Sequence, residues 1–338
     1  MSESDHEHGT ESKPVVVAAL LANLTIGGLK FGAFALTGSA AMLAEFYHSL
    51  SDTGNQILLL IGLSRSSKAP TRTHPFGHGK AQFFYGFLVS VLLFGVAGWR
   101  SISAGLQTLT HLDTATATTL TAFGGVLPGI VVSYAVLGGV LVCEGWSWRK
   151  AHRTLREQID AHEWDGFAEA FRRTSDTTTL TTFIEDSAAV VGAFVALAGI
   201  TLSHLTGNPV YDGVAALVIG AVLMTGAVVV AWTNHRLLLG KSLPHAEERR
   251  LYAVVADREV VVNVPEFRTV HFGPETVVIV ARVTVADDLR AGELSDWIAT
   301  IKTDLIDAHP GVATVYLTPD HTSTDSDATN AKRGTTAV

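Results

Sequence analysis

The residues best suited to chemistry lie where charge is least expected. Glu45, His48 and Asp52 interrupt an otherwise apolar run from Ala40 to Leu63, and Asn55 follows on the same polar stripe. Ionisable groups inside a membrane-length segment cost several kcal/mol, so they mark function by default. His48 and Asp52 are spaced i, i+4 and project one turn apart from one helical face. An imidazole and a carboxylate so placed are half of a divalent-metal site. A second polar turn, Phe183-Ile184-Glu185-Asp186-Ser187, lies in another apolar segment and offers the other half. Glu185 and Asp186 are adjacent and point about 100° apart on a helix. One of them is expected to bind metal while the other accepts a proton or a hydrogen bond from a neighbouring helix, and the spacing does not say which. Two carboxylates and an imidazole are too costly in lipid without a positive charge between them. A divalent cation exchanged for protons meets that need. Glu45, Thr182 and Asn55 are candidate auxiliary donors.

Six segments approach or exceed the roughly 20 apolar residues that cross a bilayer. They fall near residues 14–36, 40–63, 83–107, 121–145, 178–203 and 210–233. Lys30, close to the end of the first, is expected to snorkel. Charge sets the orientation. Arg65, Lys68, Arg72 and Lys80 separate the second and third segments, and Arg149, Lys150, Arg153, Arg156, Arg172 and Arg173 separate the fourth and fifth. Thr37–Ser39, Thr108–Leu120 and Ser203–Pro209 hold no Lys or Arg. The positive-inside rule places both termini in the cytoplasm. Arg100, within the third segment, belongs either to the opposite interface or to an ion pair. Trp146, Trp148 and Trp164 beside the basic residues of the stretch from Gly145 to Thr177 predict an amphipathic connector anchored at the inner membrane face.

After Gly240 the pattern is that of a water-soluble domain. A helix over Pro244–Asp257, strands over Val260–Val270 and Thr276–Val285, a helix over Ala291–Ala308 and a strand over Val312–Leu317 give the order α-β-β-α-β. The expected organisation is a tail (1–13), a six-helix transmembrane domain (14–236), a cytoplasmic α+β domain of ferredoxin-like type (237–320) and a second tail (321–338). His6 and His8 belong to a solvated tail on this reading. The chain's 338 residues are 47% hydrophobic and 17% charged, with a net charge of −8, which argues against a nucleic-acid partner. A single cysteine, Cys143, leaves no disulfide framework and no cysteine zinc site. No cleavable signal is visible. A prokaryotic plasma membrane is the expected location.

Together these motifs resemble the cation diffusion facilitator family of zinc-transporter-type antiporters, over nearly the whole chain. The family's ligand pair in the second helix matches His48 and Asp52, and its fifth-helix Asp matches Asp186. Its fifth-helix His falls on Thr182, a departure. Ala-Glu-x-x-His-Ser-Leu-x-Asp-Thr-x-Asn-Gln with Glu-Asp-Ser resembles the branch of mitochondrial, nuclear-receptor-coactivator-like members, in which Glu185 or a water replaces that imidazole. Zinc prefers His nitrogen, and a more oxygen-rich site tolerates manganese, iron or cobalt. The resemblance also implies a secondary cytoplasmic metal site at His78, with His74 its companion, in His74-Pro75-Phe76-Gly77-His78-Gly79-Lys80. It implies no lysine–aspartate pair for Lys80, because Gly240 stands at the acidic position. Pro265 and Ala281 occupy the ligand positions of the family's soluble domain, whose expected work is pairing two protomers, and His271 and His309 read as ordinary surface or edge residues. The expected function is export of Zn2+, or of Mn2+, Co2+ or Fe2+, in exchange for protons by alternating access. The expected partners are metal ions, protons, lipid and a second copy of the chain, with no cofactor and no enzymatic step. The alternatives are a non-transporting metal-sensing scaffold and an intramembrane metalloenzyme with Glu185 as general base.

Overall fold

The computed structural model describes residues 8–110, 119–122, 125–161, 164–174, 176–274, 276–286 and 290–321. His6 and most of the second expected tail lie outside them. The chain divides into two compact units, Met1–Lys68 with Lys80–Leu238, and Ala69–Gly79 with Leu239–Val338.

The first unit is helical. It contains α1 (His8–Thr37), α2 (Ala40–Ser66), α3 (Lys80–Leu92), a π-helical segment (Leu93–Gly98), α4 (Trp99–Thr110), α5 (Gly129–Ala161), α6 (Phe167–Arg173), α7 (Thr177–Thr206) and α8 (Val210–Leu238). The stretch Lys80–Thr110, α5, α7 and α8 are long and apolar enough to cross a membrane. With α1 and α2 they make the six-helix membrane unit. α2 is central, packing against α1, α3, α4, α7 and α8, while α5 packs against α1 and α7. The core is rich in alanine, including Ala41, Ala44, Ala193, Ala196 and Ala216, with Ile219 and Leu223. Small residues let helices approach where lipid offers no hydrophobic drive.

Helix ends are fixed by side chains. Gly38, at φ 63°, turns the chain from α1 to α2. Ser39 then caps α2 by accepting from the Met42 amide at 3.1 Å. Asp212 of α8 accepts from Ser39 Oγ at 2.6 Å and from the Ala40 amide at 2.5 Å, a carboxylate at a helix N-terminus. Asp176 caps α7 through the Thr179 amide at 3.0 Å, and Gly207, at φ 67°, ends it. Lys80 donates to the Leu238 carbonyl at the last turn of α8, at 3.3 Å.

Four expectations are corrected here. The fourth span begins at Gly129, not 121, because Thr119–Ala122 (β1) and Gly125–Pro128 (β2) pair as an antiparallel hairpin and Pro128 disfavours helix before it. The stretch after Gly145 continues α5 to Ala161, since Leu155 and Ile159, one turn apart, bury against Trp164, Phe167, Ala170, Phe171 and Phe183. Trp146 is exposed, but Trp148 turns inward, donating to Ser187 Oγ at 3.1 Å and stacking on His152. Lys30 does not snorkel: it is fully buried, 2.8 Å from an equally buried Glu45. A paired ammonium need not reach the interface. Arg100 is exposed, with its guanidinium over the Tyr47 ring and a 3.0 Å bond to the Tyr47 hydroxyl. α1 opens at His8, inside the expected first tail.

The second unit contains α9 (His245–Ala256), β3 (Val261–Gly273), β4 (Thr276–Val285), α10 (Ala291–Ala308) and β5 (Val312–His321). The sheet order is β3-β4-β5, antiparallel then parallel. Leu251 and Val255 of α9 and Ile301 and Leu305 of α10 bury one cluster with Ile279, Ala281 and Val283 of central β4. β5 runs four residues past Leu317, because β4 offers pairing as far as Val285 with His321. Pro319 is tolerated there on an edge strand. The segment Ala69–Gly79 belongs to this unit, with the Phe76 ring 4.7 Å from Phe272 and 6.2 Å from Tyr316. His271 is not a surface residue; it is 3% exposed. His309 pairs with Glu247 at 3.1 Å and accepts the Gly311 amide at 3.0 Å.

Candidate functional site

Glu45, His48, Asp52 and Asn55 follow one another at steps of three, four and three, which aligns them on a single face of α2. Glu45, His48 and Asn55 are fully buried, and the Asp52 side chain is 16% exposed. His48 Nε2 stands 3.6 Å from Asp52 Oδ2. That is beyond a hydrogen bond. Both ring nitrogens of His48, Asp52 Oδ1, Asn55 Oδ1, Ser51 Oγ and Gln56 Oε1 are buried with no hydrogen-bond partner. Each such atom costs about 1–3 kcal/mol. They are concentrated on one face of α2.

α7 presents its two carboxylates to different neighbours. Glu185 Oε1 accepts from Asn55 Nδ2 at 2.7 Å and so faces α2. Asp186 Oδ2 accepts from Ser147 Oγ of α5, also at 2.7 Å. Their divergence follows from the angular step of a helix. Thr182, one turn before Asp186, is half-buried. The structure thus brings His48 to Asp52 and Asn55 to Glu185. It turns Asp186 to α5 and commits one oxygen of Glu45 to Lys30. Among the described residues no three of His, Cys, Asp and Glu stand close enough together to hold one ion.

Glu144 of α5 is a further acid that sequence reasoning missed. Its charge acts on Asp52 and Glu185, and those of Asp186, Glu45 and Lys30 act on it. The signal was present: Glu144 and Ser147 stand three residues apart and share a face once α5 is read past Gly145. Asp212 was missed, and Lys30 was read as snorkelling, because each is a single charge whose partners are remote in sequence. One imidazole and several carboxylates make a nitrogen-and-oxygen donor set, suited to zinc and to the harder first-row divalent ions.

In the second unit the His74 and His78 rings lie 4.3 Å apart. His74 is exposed, with Nδ1 3.1 Å from Thr73 Oγ1, while His78 Nδ1 is buried without a partner. Burial pushes His271 down to about 4, with the Lys241 charge a secondary cause.

Residues 16–239 match the family model of the cation efflux transmembrane domain. Metal tolerance protein C4 of Arabidopsis thaliana is 28% identical over 263 residues, 78% of this chain and 55% of the plant protein. Proton-coupled zinc antiporter SLC30A9, mitochondrial, of Homo sapiens is 31% identical over 257 residues, 76% of this chain and 42% of the human protein. Magnetosome protein MamM of Paramagnetospirillum magneticum is 34% identical over 93 residues, 28% of this chain and 29% of that protein. The chain spans about half the length of the plant and human relatives.

Proposed function

The chain belongs to the cation efflux family, and on that premise we propose that it carries a divalent metal cation out of the cytoplasm in exchange for protons. Zinc is the proposed cargo, with manganese, cobalt and iron as its competitors. The observation that carries this reading is the row of unpartnered polar atoms on α2, His48 and Asp52 foremost, with Glu185 reaching the same face from α7. His48 and Asp52 supply one nitrogen and one carboxylate, and α7 completes the coordination. Glu185 is already turned to α2; Asp186, were it the ligand instead, would exchange its bond to Ser147 for the ion. Metal binds deprotonated carboxylates and neutral imidazole, so protons arriving at the same groups release it. Alternating access follows from re-packing of the helices around the site. A membrane-embedded metalloenzyme finds no support in a family of cation-efflux proteins.

The balance of Lys and Arg supports cytoplasmic termini. We assign the protein to the plasma membrane and its second unit to pairing two copies; the name of the human relative places that protein in mitochondria. The test is uptake of zinc, manganese, cobalt and iron into proteoliposomes under an imposed pH gradient. Zinc uptake is expected to exceed the others. Asp52→Ala is expected to abolish it while the protein stays monodisperse. Undiminished uptake by Asp52→Ala removes the α2 site from the mechanism.

A further inference from the structure

The acidic interior contains a cation of its own. Lys30 of α1 has its ammonium 2.8 Å from Glu45 Oε2, and both side chains are fully buried. Among the described residues Lys30 is the only lysine or arginine so buried. Its partner is not remote from the transport site. Glu45 precedes His48 by three residues, about 4.5 Å of helix rise, on the same face. Glu45 Oε1 has no hydrogen-bond partner and lies against Gly192 of α7, where a Cβ would collide with it. The carboxylate is therefore wedged among α1, α2 and α7 with one oxygen free. The Lys30 charge also acts on His48, Asp52 and Glu144.

Glu45, Asp52 and Glu144 thus share one positive charge. A transported divalent ion would add two more, and after its departure any of these carboxylates that the incoming protons do not neutralise would stand uncompensated in a low-dielectric interior. Uncompensated buried charge is strongly destabilising, so an emptied site resists the re-packing that returns it. Lysine suits the compensating task because its ammonium is a compact charge on a flexible four-carbon stem.

We propose that Lys30 is a tethered counter-cation of the transport site. Its ammonium shares the Glu45 carboxylate and the adjoining acids when the ion has left, and yields to the ion on loading. Lys30 is a positioning and charge-balancing residue here, not a ligand. The proposal rests on the transporter reading above.

Two fluxes separate the ideas. Net uptake of radioactive zinc into proteoliposomes requires the emptied carrier to return. Zinc-for-zinc exchange, with equal zinc on both sides, requires only the loaded carrier. The full-length protein is compared with Lys30→Met and with the charge-neutral pair Lys30→Met/Glu45→Gln, which guards against misfolding around an unpaired Glu45. The ratio of net uptake to exchange is expected to fall about tenfold or more in both variants. An unchanged ratio, including equal loss of both fluxes, makes Lys30 a structural residue and overturns the proposal while leaving the transporter reading intact. Recovery of the ratio in the neutral pair also overturns it, because the ammonium would then serve Glu45 alone. A wild-type protein with neither flux brings down the transporter reading itself, and this proposal with it.

Discussion

Adjacent acids can have unrelated fates, and Glu185 and Asp186 are such a pair. Asn55 holds the first toward α2 and Ser147 holds the second toward α5. Which acid faces which helix depends on the rotational phase of α7, set by packing of Ala189, Ala193 and Ala196. Sequence spacing within one helix carries no such information. The same distinction governs His271 in the second unit. Burial, aided by the Lys241 charge, pushes it from its ordinary 6.5 down to about 4. The unfolded chain therefore binds the extra proton between about pH 6.5 and pH 4, and the folded chain does not. His271 contributes no penalty above pH 6.5, and acid erodes the unit's stability by up to about 3 kcal/mol across that window. Hydrogen exchange of the β3 and β4 amides in the full-length protein, corrected for intrinsic rates, is expected to accelerate from pH 7 to pH 5. His271→Phe is expected to flatten that dependence, and an equal acceleration in the variant refutes the assignment. The closeness of His48 and Asp52, 3.6 Å apart, was legible because they are neighbours through a local i, i+4 relation. Lys30 and Glu144 were not, since their partners lie on other helices.

Elements were legible where apolar length alone defined them. α8 was expected from 210, where it starts, and α10 was expected over its actual range. The π-helical segment at Leu93–Gly98 was not, because it interrupts an apolar run without a proline or a charge. It packs against α2 and α8, and its last residue, Gly98, lies against Gly220 and Met224 of α8. A Cβ at Gly220 would stand 2.9 Å from both the Gly98 carbonyl oxygen and the Ile102 amide nitrogen. Both are backbone atoms, so neither can rotate away. At Gly138 of α5 a Cβ meets nothing within 4 Å. Gly220→Ala is expected to lower stability in detergent by about 1–3 kcal/mol, the cost of overpacking. Gly138→Ala is expected to be neutral or mildly stabilising, since glycine disfavours helix. Thermal unfolding of the two purified variants checks this, and equal midpoints would mean that α4 and α8 can separate freely.

At the scale of the whole chain, texture predicted two parts, an apolar one and a water-soluble one. It did not predict that Ala69–Gly79, which follows α2 in sequence, belongs with the second unit. Phe76 decides that by packing on Phe272 and Tyr316, residues nearly 200 and 240 positions away. Orientation is a whole-chain property of the same kind, because no single loop determines it. The connections Thr37–Ser39 and Ser203–Pro209 have no Lys or Arg, whereas the stretch from Arg65 to Lys80 has four. The direction of export proposed above depends on this asymmetry. The chain has one cysteine, Cys143, which is exposed on α5 and must first be replaced by alanine. Thr206→Cys, at the exposed end of α7, then reports the side without positive charge. Ser67→Cys, exposed after α2, reports the other. In intact cells a membrane-impermeant maleimide is expected to label Thr206→Cys and to label Ser67→Cys only after permeabilisation. The reverse pattern would put the basic loops outside and turn the proposed export into uptake.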